Sequence, residues 1–234
     1  MTYNKTVKTK EVSNVSIRGG TPDPVLRGRI VEAARELFFS RGFVRVTADE
    51  IAGRLGISKA TLYKSFPSKE DILEAVVLEH MNNIGGTVEK LLADDSRSVV
   101  EKLARLFGYV GARISQMGPL LIPDIQKSAP RLWRMIDDFR RDKINRNFRV
   151  ILESGRKEGL FREDVDPDLL LRMFINLVQE FINPAEILRS GRSPAAAFES
   201  VIKVFFQGIL TDEGRLDFSV EMPAAVEPRK EGAS

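Results

Sequence analysis

The chain contains no cysteine and only one histidine, His80. Disulfides, zinc ribbons, iron–sulfur clusters and thiol nucleophiles are therefore excluded for this chain. A Ser-His-Asp triad or a multi-histidine metal site would have to be built around His80 alone, which argues against hydrolase chemistry and metal binding. We accordingly expect no enzymatic activity, no metal and no cofactor.

Long hydrophobic runs are missing as well. No stretch of about 18 apolar residues occurs, and the N-terminal sequence MTYNKTVKTKEVSNVSIRGG lacks the apolar segment of a signal peptide. We therefore expect a cytoplasmic protein that is not inserted in a membrane.

The composition is that of an ordinary globular protein. Hydrophobic residues make up 43% and charged residues 29% of 234 residues, a length that allows a well-buried core. The net charge of +3 is mildly basic. Such a balance is compatible with nucleic-acid binding but does not show it.

Composition and periodicity divide the chain into four segments. Residues 1–24 are polar, weakly cationic and without a period, which favours a flexible arm over one that seeks phosphates. Residues 25–73 contain short helical patterns, and residues 74–216 contain longer ones. Residues 217–234 are rich in Pro, Glu and Ala, and we expect them to be disordered.

Capping residues divide residues 25–73 into short helices. Serine or threonine N-caps begin the helices and glycines end them: Thr47, Ser58 and Ser68 at the starts, Gly42 and Gly56 at the ends. The tight turn LGIS between the second and third helices is typical of a helix-turn-helix unit.

The remaining sequence has helical periodicity only. It predicts helices over roughly 98–117, 120–127 and 131–157, and two more that begin after Asp166 and Ser193 with a proline. No segment alternates as a strand does. We therefore predict an all-α fold: an N-terminal three-helix helix-turn-helix domain followed by a larger helical domain.

The third helix carries residues suited to reading DNA. Leu62 and Phe66 share the core side, and the opposite side is formed or flanked by Ala60, Thr61, Tyr63 and Lys64. A small alanine permits close approach, a lysine reaches a guanine O6/N7 or a phosphate, and a threonine methyl can contact a thymine methyl. The free N–H groups at the helix start favour a phosphate near Ser58 and Lys59. Lys69 offers a similar contact at the next helix.

Simpler roles remain open for several of these residues. Tyr63 could pack on the first helix, and Lys64 and Lys69 could be solvated surface lysines. A phosphate contact of Thr47 would be an addition to its role as a helix cap.

The segment TADEIAGRLGISKATLYKSFPSKEDIL, preceded by RGRIVEAARELFFSRGF, resembles the DNA-binding segment of the TetR family of transcriptional regulators. The match covers about residues 26–76. The resemblance implies a homodimer that places two third helices in the major grooves of a palindromic operator, about 34–36 Å apart. It implies phosphate contacts from Thr47, Ser58, Tyr63 and Lys69, and base-facing positions for Lys59, Ala60, Thr61 and Lys64. Ser65 and Ala60 depart from the commonest family pattern, which puts one phosphate contact and the sequence preference in doubt.

Two helices near the C-terminus are apolar over a wider arc than packing on one side requires. Our candidates for a two-fold, four-helix dimer interface are Phe174 and Val178 on the first and Phe198, Ile202 and Phe205 on the second. The alternative is that these helices pack entirely within one subunit.

The middle helices carry an aromatic and methionine stripe, which is more often core than ligand site. The family resemblance nevertheless implies a small-molecule pocket in this region. We expect an effector of unknown identity near Phe107, Tyr109, Met117 and Trp133, with a polar contact from Arg113 or Gln116. The charged segment 131–149 is interpreted as a solvated helix face with pairs such as Asp137–Arg141, in preference to a second nucleic-acid site.

These expectations combine into a ligand-responsive DNA-binding transcriptional regulator, most simply a repressor that an effector releases from its operator. One alternative is an all-helical small-molecule-binding protein or enzyme with a vestigial DNA-binding head. Another is a non-specific DNA-associated protein, which the modest net charge disfavours.

Overall fold

The computed structural model describes residues 23–117, 120–181 and 194–221. These residues form ten α-helices: α1 Pro24–Arg41, α2 Ala48–Leu55, α3 Lys59–Ser65, α4 Lys69–Leu92, α5 Val99–Ser115, α6 Leu121–Ser128, α7 Pro130–Lys157, α8 Pro167–Phe181, α9 Pro194–Ile209 and α10 Asp212–Glu221. The only β-type pairing in the described residues is an isolated bridge between Phe161 and Leu210. The predicted all-α fold is confirmed. No helix within those three ranges is long and apolar enough to cross a membrane.

The predicted N-caps begin the short helices. The side-chain oxygens of Thr47, Ser58 and Ser68 accept the backbone N–H three residues later, at 3.2, 3.0 and 3.1 Å. Gly56 ends α2 with φ of 66°, a left-handed conformation that glycine adopts without steric cost. Local chemistry therefore sets the lengths of α2 and α3.

The two segments predicted to be disordered are only partly described. The side chain of Asp23 accepts the N–H of Val25 at 2.9 Å and caps α1, so residues 23 and 24 of the expected arm belong to the helix start. Helix α10 extends to Glu221, so the prediction of disorder is wrong for residues 217–221. Residues 1–22 and 222–234, and the cap expected at Ser193, lie outside the described residues.

Two apolar cores stack along α4. The N-terminal core joins α1, α2, α3 and the first half of α4, and it also includes Leu121 and Ile125 of α6 and Leu132 of α7. The second core joins the end of α4 to α5, α7, α8 and α9. The domain boundary expected at residue 73 therefore falls inside an unbroken helix, and the N-terminal core continues past it to Met81.

Phenylalanine rings form the centre of the second core. The ring centroid of Phe174 on α8 lies 5.3 Å from that of Phe148 on α7 and 5.1 Å from that of Phe205 on α9. Phe206 also contacts Phe107 of α5, with centroids 5.0 Å apart. This cluster holds α8 and α9 against the rest of the chain.

The five residues expected at the dimer interface are all buried in their own chain. The exposed fractions are 7% for Phe174, 3% for Val178, 7% for Phe198, 0% for Ile202 and 7% for Phe205. The prediction is therefore corrected: these side chains pack against neighbouring helices and are not accessible to a partner. Their apolar arc is wide because α8 lies between α7 and α9, and α9 also packs on α5.

Candidate DNA-binding surface and ligand cavity

The outer side of α3 is open to solvent. Lys59, Ala60, Tyr63 and Lys64 are exposed, whereas Leu62 is fully buried in the N-terminal core. Tyr63 is 38% exposed, so it is not buried against α1. The structure thus brings these four predicted contact residues onto one accessible surface.

Ser58, Lys59 and Thr61 also have structural contacts. The hydroxyls of Ser58 and Thr61 lie 2.9 Å apart, and Thr61 is half-buried. Nζ of Lys59 donates to Oδ2 of Asp49 on α2 at 2.9 Å, and this hydrogen bond raises the pKa of Lys59. A DNA group that binds Lys59 therefore has to share its ammonium with Asp49.

Thr47 lies at the end of the α1–α2 loop, residues 42–47. Its backbone N–H donates to Oε2 of Glu50 at 2.7 Å, and this bond, followed by hydrogen bonding to Arg41, lowers the pKa of Glu50. Thr47 itself remains exposed. The residue therefore caps α2 and still faces solvent.

Lys69 fastens the start of α4 to the same loop. Its Nζ donates to the carbonyl oxygens of Phe43 at 3.1 Å and of Val46 at 2.9 Å, and lies 4.2 Å from the centre of the Phe43 ring. An ammonium group has three donors, so these bonds leave one for a phosphate. The sequence pattern did not predict this structural role.

Arg27 of α1 supports the end of α3, and no motif in the sequence marks it. Its guanidinium carbon lies 3.9 Å from the centre of the Phe66 ring, and Nη1 donates to the carbonyl oxygen of Ser65. Ser65 is only 3% exposed. Its side chain therefore packs inside the domain, and Arg27 of α1 supports the C-terminal end of α3.

A cavity of about 280 Å³ lies among α1 and α4–α9. Its wall is almost entirely apolar, and the side chains that bring an imidazole, a charge or an amide to it are His80, Arg140, Lys143 and Asn147. Pockets of this kind, apolar with a few polar groups, are typical of small-molecule sites.

Three of the five predicted effector residues line the cavity, namely Phe107, Met117 and Trp133. Tyr109 and Arg113 do not line it, and this part of the prediction is corrected. The residues of α5 that line the cavity are Leu106, Phe107, Val110 and Ile114. Tyr109 and Arg113 lie on another side of the helix.

Arg113 instead makes surface contacts on its own helix and at the helix end. Its guanidinium carbon lies 5.0 Å from the centre of the Tyr109 ring, and Nη1 donates to Oε1 of Gln116 at 3.1 Å. The two polar residues expected to contact an effector therefore bind each other.

Both cations in the cavity wall have acidic partners. Arg140 pairs with Asp137 on α7, and Lys143 pairs with Glu89 on α4. Burial lowers the pKa of Arg140, and the charge of Asp137 opposes that shift. Asp137 also accepts Arg141 Nη2 at 3.0 Å, which confirms the predicted pair.

His80 differs from these cations because its Nε2 has no partner among the described residues. The side chain is 8% exposed and packs edge-on against Phe39 of α1, with ring centroids 4.9 Å apart. Burial, followed by the positive charges of Arg113 and Arg35, lowers the pKa of His80 to about 4. The imidazole is therefore neutral near pH 7.

Helix α6 connects the cavity to the DNA-binding domain. Its Leu121, Ile122 and Ile125 line the cavity, while Oδ2 of Asp124 accepts the N–H of Val44 in the α1–α2 loop at 2.9 Å. A Cβ on Gly42 would lie 2.6 Å from the same oxygen. The loop can approach α6 this closely because residue 42 is a glycine.

Exposed apolar side chains lie on the outer sides of α8 and α9. Leu169 and Met173 on α8 are 45% and 47% exposed, and Val204 on α9 is 74% exposed. They lie on the same two helices as the buried residues first expected at the interface.

Comparison with known proteins places the chain in a family. The model for bacterial regulatory proteins of the tetR family matches residues 30–76. The chain is 33% identical over 150 residues to the HTH-type transcriptional repressor KstR2 of Mycolicibacterium smegmatis, covering 62% of this chain and 72% of that repressor. It is 26% identical over 187 residues to the uncharacterized HTH-type regulator YvaF of Bacillus subtilis, covering 79% and 96%.

Solved structures share the fold. The ketosteroid regulator KstR2 of Mycobacterium tuberculosis aligns with a TM-score of 0.53 at 24% identity, over 80% of this chain and 96% of that one. FadR from Bacillus subtilis, in complex with stearoyl-CoA, aligns with a TM-score of 0.56 at 23% identity, over 78% and 98%. The accessible face of α3, its capped helix-turn-helix and these matches show that the chain belongs to the TetR family of DNA-binding transcriptional regulators.

Proposed function

We propose that the protein is a cytoplasmic repressor that binds a palindromic operator as a homodimer and is released when an apolar small molecule occupies its cavity. The observation that carries this proposal is the position of the cavity. Its wall includes Phe39 of α1 and three residues of α6. Helix α1 contacts the end of α3 through Arg27, and α6 contacts the α1–α2 loop through Asp124. The protein acts through binding and not through catalysis.

The proposed DNA contacts follow from the exposed side of α3. Lys59, Ala60, Thr61 and Lys64 are placed at base edges, and Thr47, Ser58, Tyr63 and Lys69 at phosphates. The exposure of Ala60 and Lys64 supports the first group. For Ser58 and Lys69 the helix N-termini of α3 and α4 add a favourable field for a phosphate.

The chemical class of the effector follows from the cavity wall. Apolar surface dominates it, so most of the binding free energy comes from burial of apolar ligand atoms. The structures that share the fold include a regulator bound to stearoyl-CoA and a ketosteroid regulator. The acyl chain of stearoyl-CoA and the ring system of a ketosteroid are apolar, which supports an effector whose cavity-bound part is apolar.

We place the dimer interface on the outer faces of α8 and α9, around Leu169, Met173 and Val204. These side chains lie on two helices that pack against each other, and covering them with a second copy would remove apolar surface from water. A two-fold contact between identical helix pairs would match the symmetry of a palindromic operator.

The first test is selection of bound sequences from a random duplex pool by the purified protein near physiological salt. We expect enrichment of a palindrome whose half-sites lie about one helical turn apart. Equal binding of all duplexes would contradict the proposal and favour a non-specific DNA-associated protein. Ligand binding without any DNA affinity would favour a carrier with a vestigial head.

Lys64→Ala is expected to weaken binding to the selected operator by about 1–3 kcal/mol and to relax the preference at one base pair. Lys64 is exposed on α3, so the substitution leaves the core intact. The matched control is Lys90→Ala, which removes an exposed lysine near the end of α4. Identical affinities and preferences for the two variants would show that α3 is misassigned.

Val204→Asp is expected to yield folded monomers in sedimentation velocity. Val204 is 74% exposed, so the carboxylate is hydrated in the monomer but would be buried in the dimer. Val25→Asp, at an equally exposed position on α1, should leave the dimer intact. Phe205→Asp should instead unfold the chain, because Phe205 is only 7% exposed. A dimeric Val204→Asp protein would place the interface elsewhere.

Asp124→Ala is expected to weaken the coupling between cavity and DNA. In the wild type, the operator should reduce the affinity of the fluorescent apolar probe N-phenyl-1-naphthylamine several-fold, because the two ligands favour different arrangements. Without its acceptor, the Val44 N–H should exchange faster, and the effect of the operator on the probe should shrink. Asp124→Asn keeps an oxygen acceptor and should retain most of the coupling. If the operator reduced probe affinity equally in the wild type and in both Asp124 variants, the Asp124–Val44 hydrogen bond would be excluded as the coupling contact.

A further inference from the structure

One buried polar atom at the cavity, Nε2 of His80, has no hydrogen-bond partner among the described residues. Arg140 and Lys143 are each paired with a carboxylate, whereas Nε2 of His80 is fully buried and makes no hydrogen bond within the described part of the chain. More than nine-tenths of the His80 side chain is removed from solvent. Buried polar atoms are normally hydrogen-bonded, and an unpaired one beside a cavity points to a missing ligand or water.

Resting on the proposed function, we propose that His80 is the polar anchor of the cavity, and that the effector is an uncharged, largely apolar molecule whose hydroxyl or carbonyl oxygen hydrogen-bonds to Nε2. A hydroxyl group can donate to or accept from Nε2, so it suits either tautomer of the imidazole. A carbonyl oxygen accepts from the tautomer that carries hydrogen on Nε2.

The surroundings of His80 select an uncharged ligand. A ligand cation would approach a region where Arg140 and Lys143 line the wall, and Arg35 and Arg113 already act on His80. A ligand anion would have to compete with Asp137 and Glu89 for the two wall cations. An uncharged ligand oxygen is not repelled by these cations and does not have to displace Asp137 or Glu89. It also avoids burying a charge in an apolar wall.

The position of His80 also places the anchor at the junction of the two cores. Its ring meets Phe39 edge-on at 4.9 Å, and Phe39 belongs to both the N-terminal core and the cavity wall. The anchor is therefore next to α1, the helix whose Arg27 supports α3.

The test is displacement of N-phenyl-1-naphthylamine by two probes of similar shape, 1-dodecanol and 1-chlorododecane. Affinities are compared in wild-type protein and in His80→Phe, which keeps a ring against Phe39 but removes Nε2. The ratio of the two affinities is compared between the two proteins, so that the difference in hydrophobicity between the probes cancels. We expect 1-dodecanol to lose about fivefold to tenfold more affinity than 1-chlorododecane on substitution.

Two further variants make the result specific. His80→Gln places an amide near the position of Nε2 and should recover part of the preference for 1-dodecanol. Asn147→Leu removes the other uncharged polar group of the wall and should change the preference by less than about twofold. Circular dichroism and retained binding of the fluorescent probe establish that each variant is folded.

The outcomes separate the two proposals. If the fluorescent probe binds but both dodecyl probes lose affinity equally in His80→Phe, the anchor is wrong and the apolar cavity stands. If the preference for 1-dodecanol is lost in Asn147→Leu and retained in His80→Phe, the assignment of His80 as the anchor is likewise wrong. If no apolar probe enters the wild-type protein, the cavity is not a ligand site and both proposals fall.

Discussion

The core beneath the DNA-binding helices is completed by side chains from the ligand-binding half of the chain. Leu121 and Ile125 of α6 and Leu132 of α7 pack into the same cluster as the buried residues of α1, α2 and α3. Protein interiors are close-packed, so the helix-turn-helix cannot rotate on α6 by small continuous steps without creating voids. Movement between discrete packed arrangements is the physical alternative, and it suits a switch.

Three polar contacts connect the elements that surround α2 and α3. Hydrogen bonds of Lys69 join α4 to the α1–α2 loop, and a hydrogen bond to Asp124 joins that loop to α6. A hydrogen bond from Arg27 joins α1 to the end of α3. Each contact joins elements far apart in sequence. Helix α1 thus contacts both the cavity, through Phe39, and the end of α3, through Arg27.

Local signals in the sequence predicted much of the fold. Caps at Thr47, Ser58 and Ser68 and the turn at Gly56 are short-range effects, and the structure has each of them where the sequence placed it. Long-range choices were not predictable in the same way. The wide apolar arc of Phe174 and Phe205 indicates burial on two sides, but periodicity cannot tell whether the second neighbour is in the same chain or a partner.

The cavity illustrates the same limit at the level of single residues. The family resemblance located the right helices, and Phe107 and Trp133 line the cavity as expected. The error at Tyr109 and Arg113 arose from helix phase, because neighbouring residues on α5 point in different directions. Lys69 and Arg27 were missed in their structural roles because their acceptors are backbone carbonyls, which no side-chain pattern reveals.

The proposed hydrogen bond at His80 relates ligand binding to the packing between the cavity and the DNA-binding domain. Leaving a buried hydrogen-bonding group without a partner costs about 1–3 kcal/mol, and in our proposal a ligand oxygen at His80 removes that cost. The wall that this ligand would contact includes Phe39 of α1 and three residues of α6. If ligand and operator favour different arrangements of this core, each weakens the binding of the other by the same factor. The size of the response depends on how differently the ligand binds the two arrangements, and not on how tightly it binds overall.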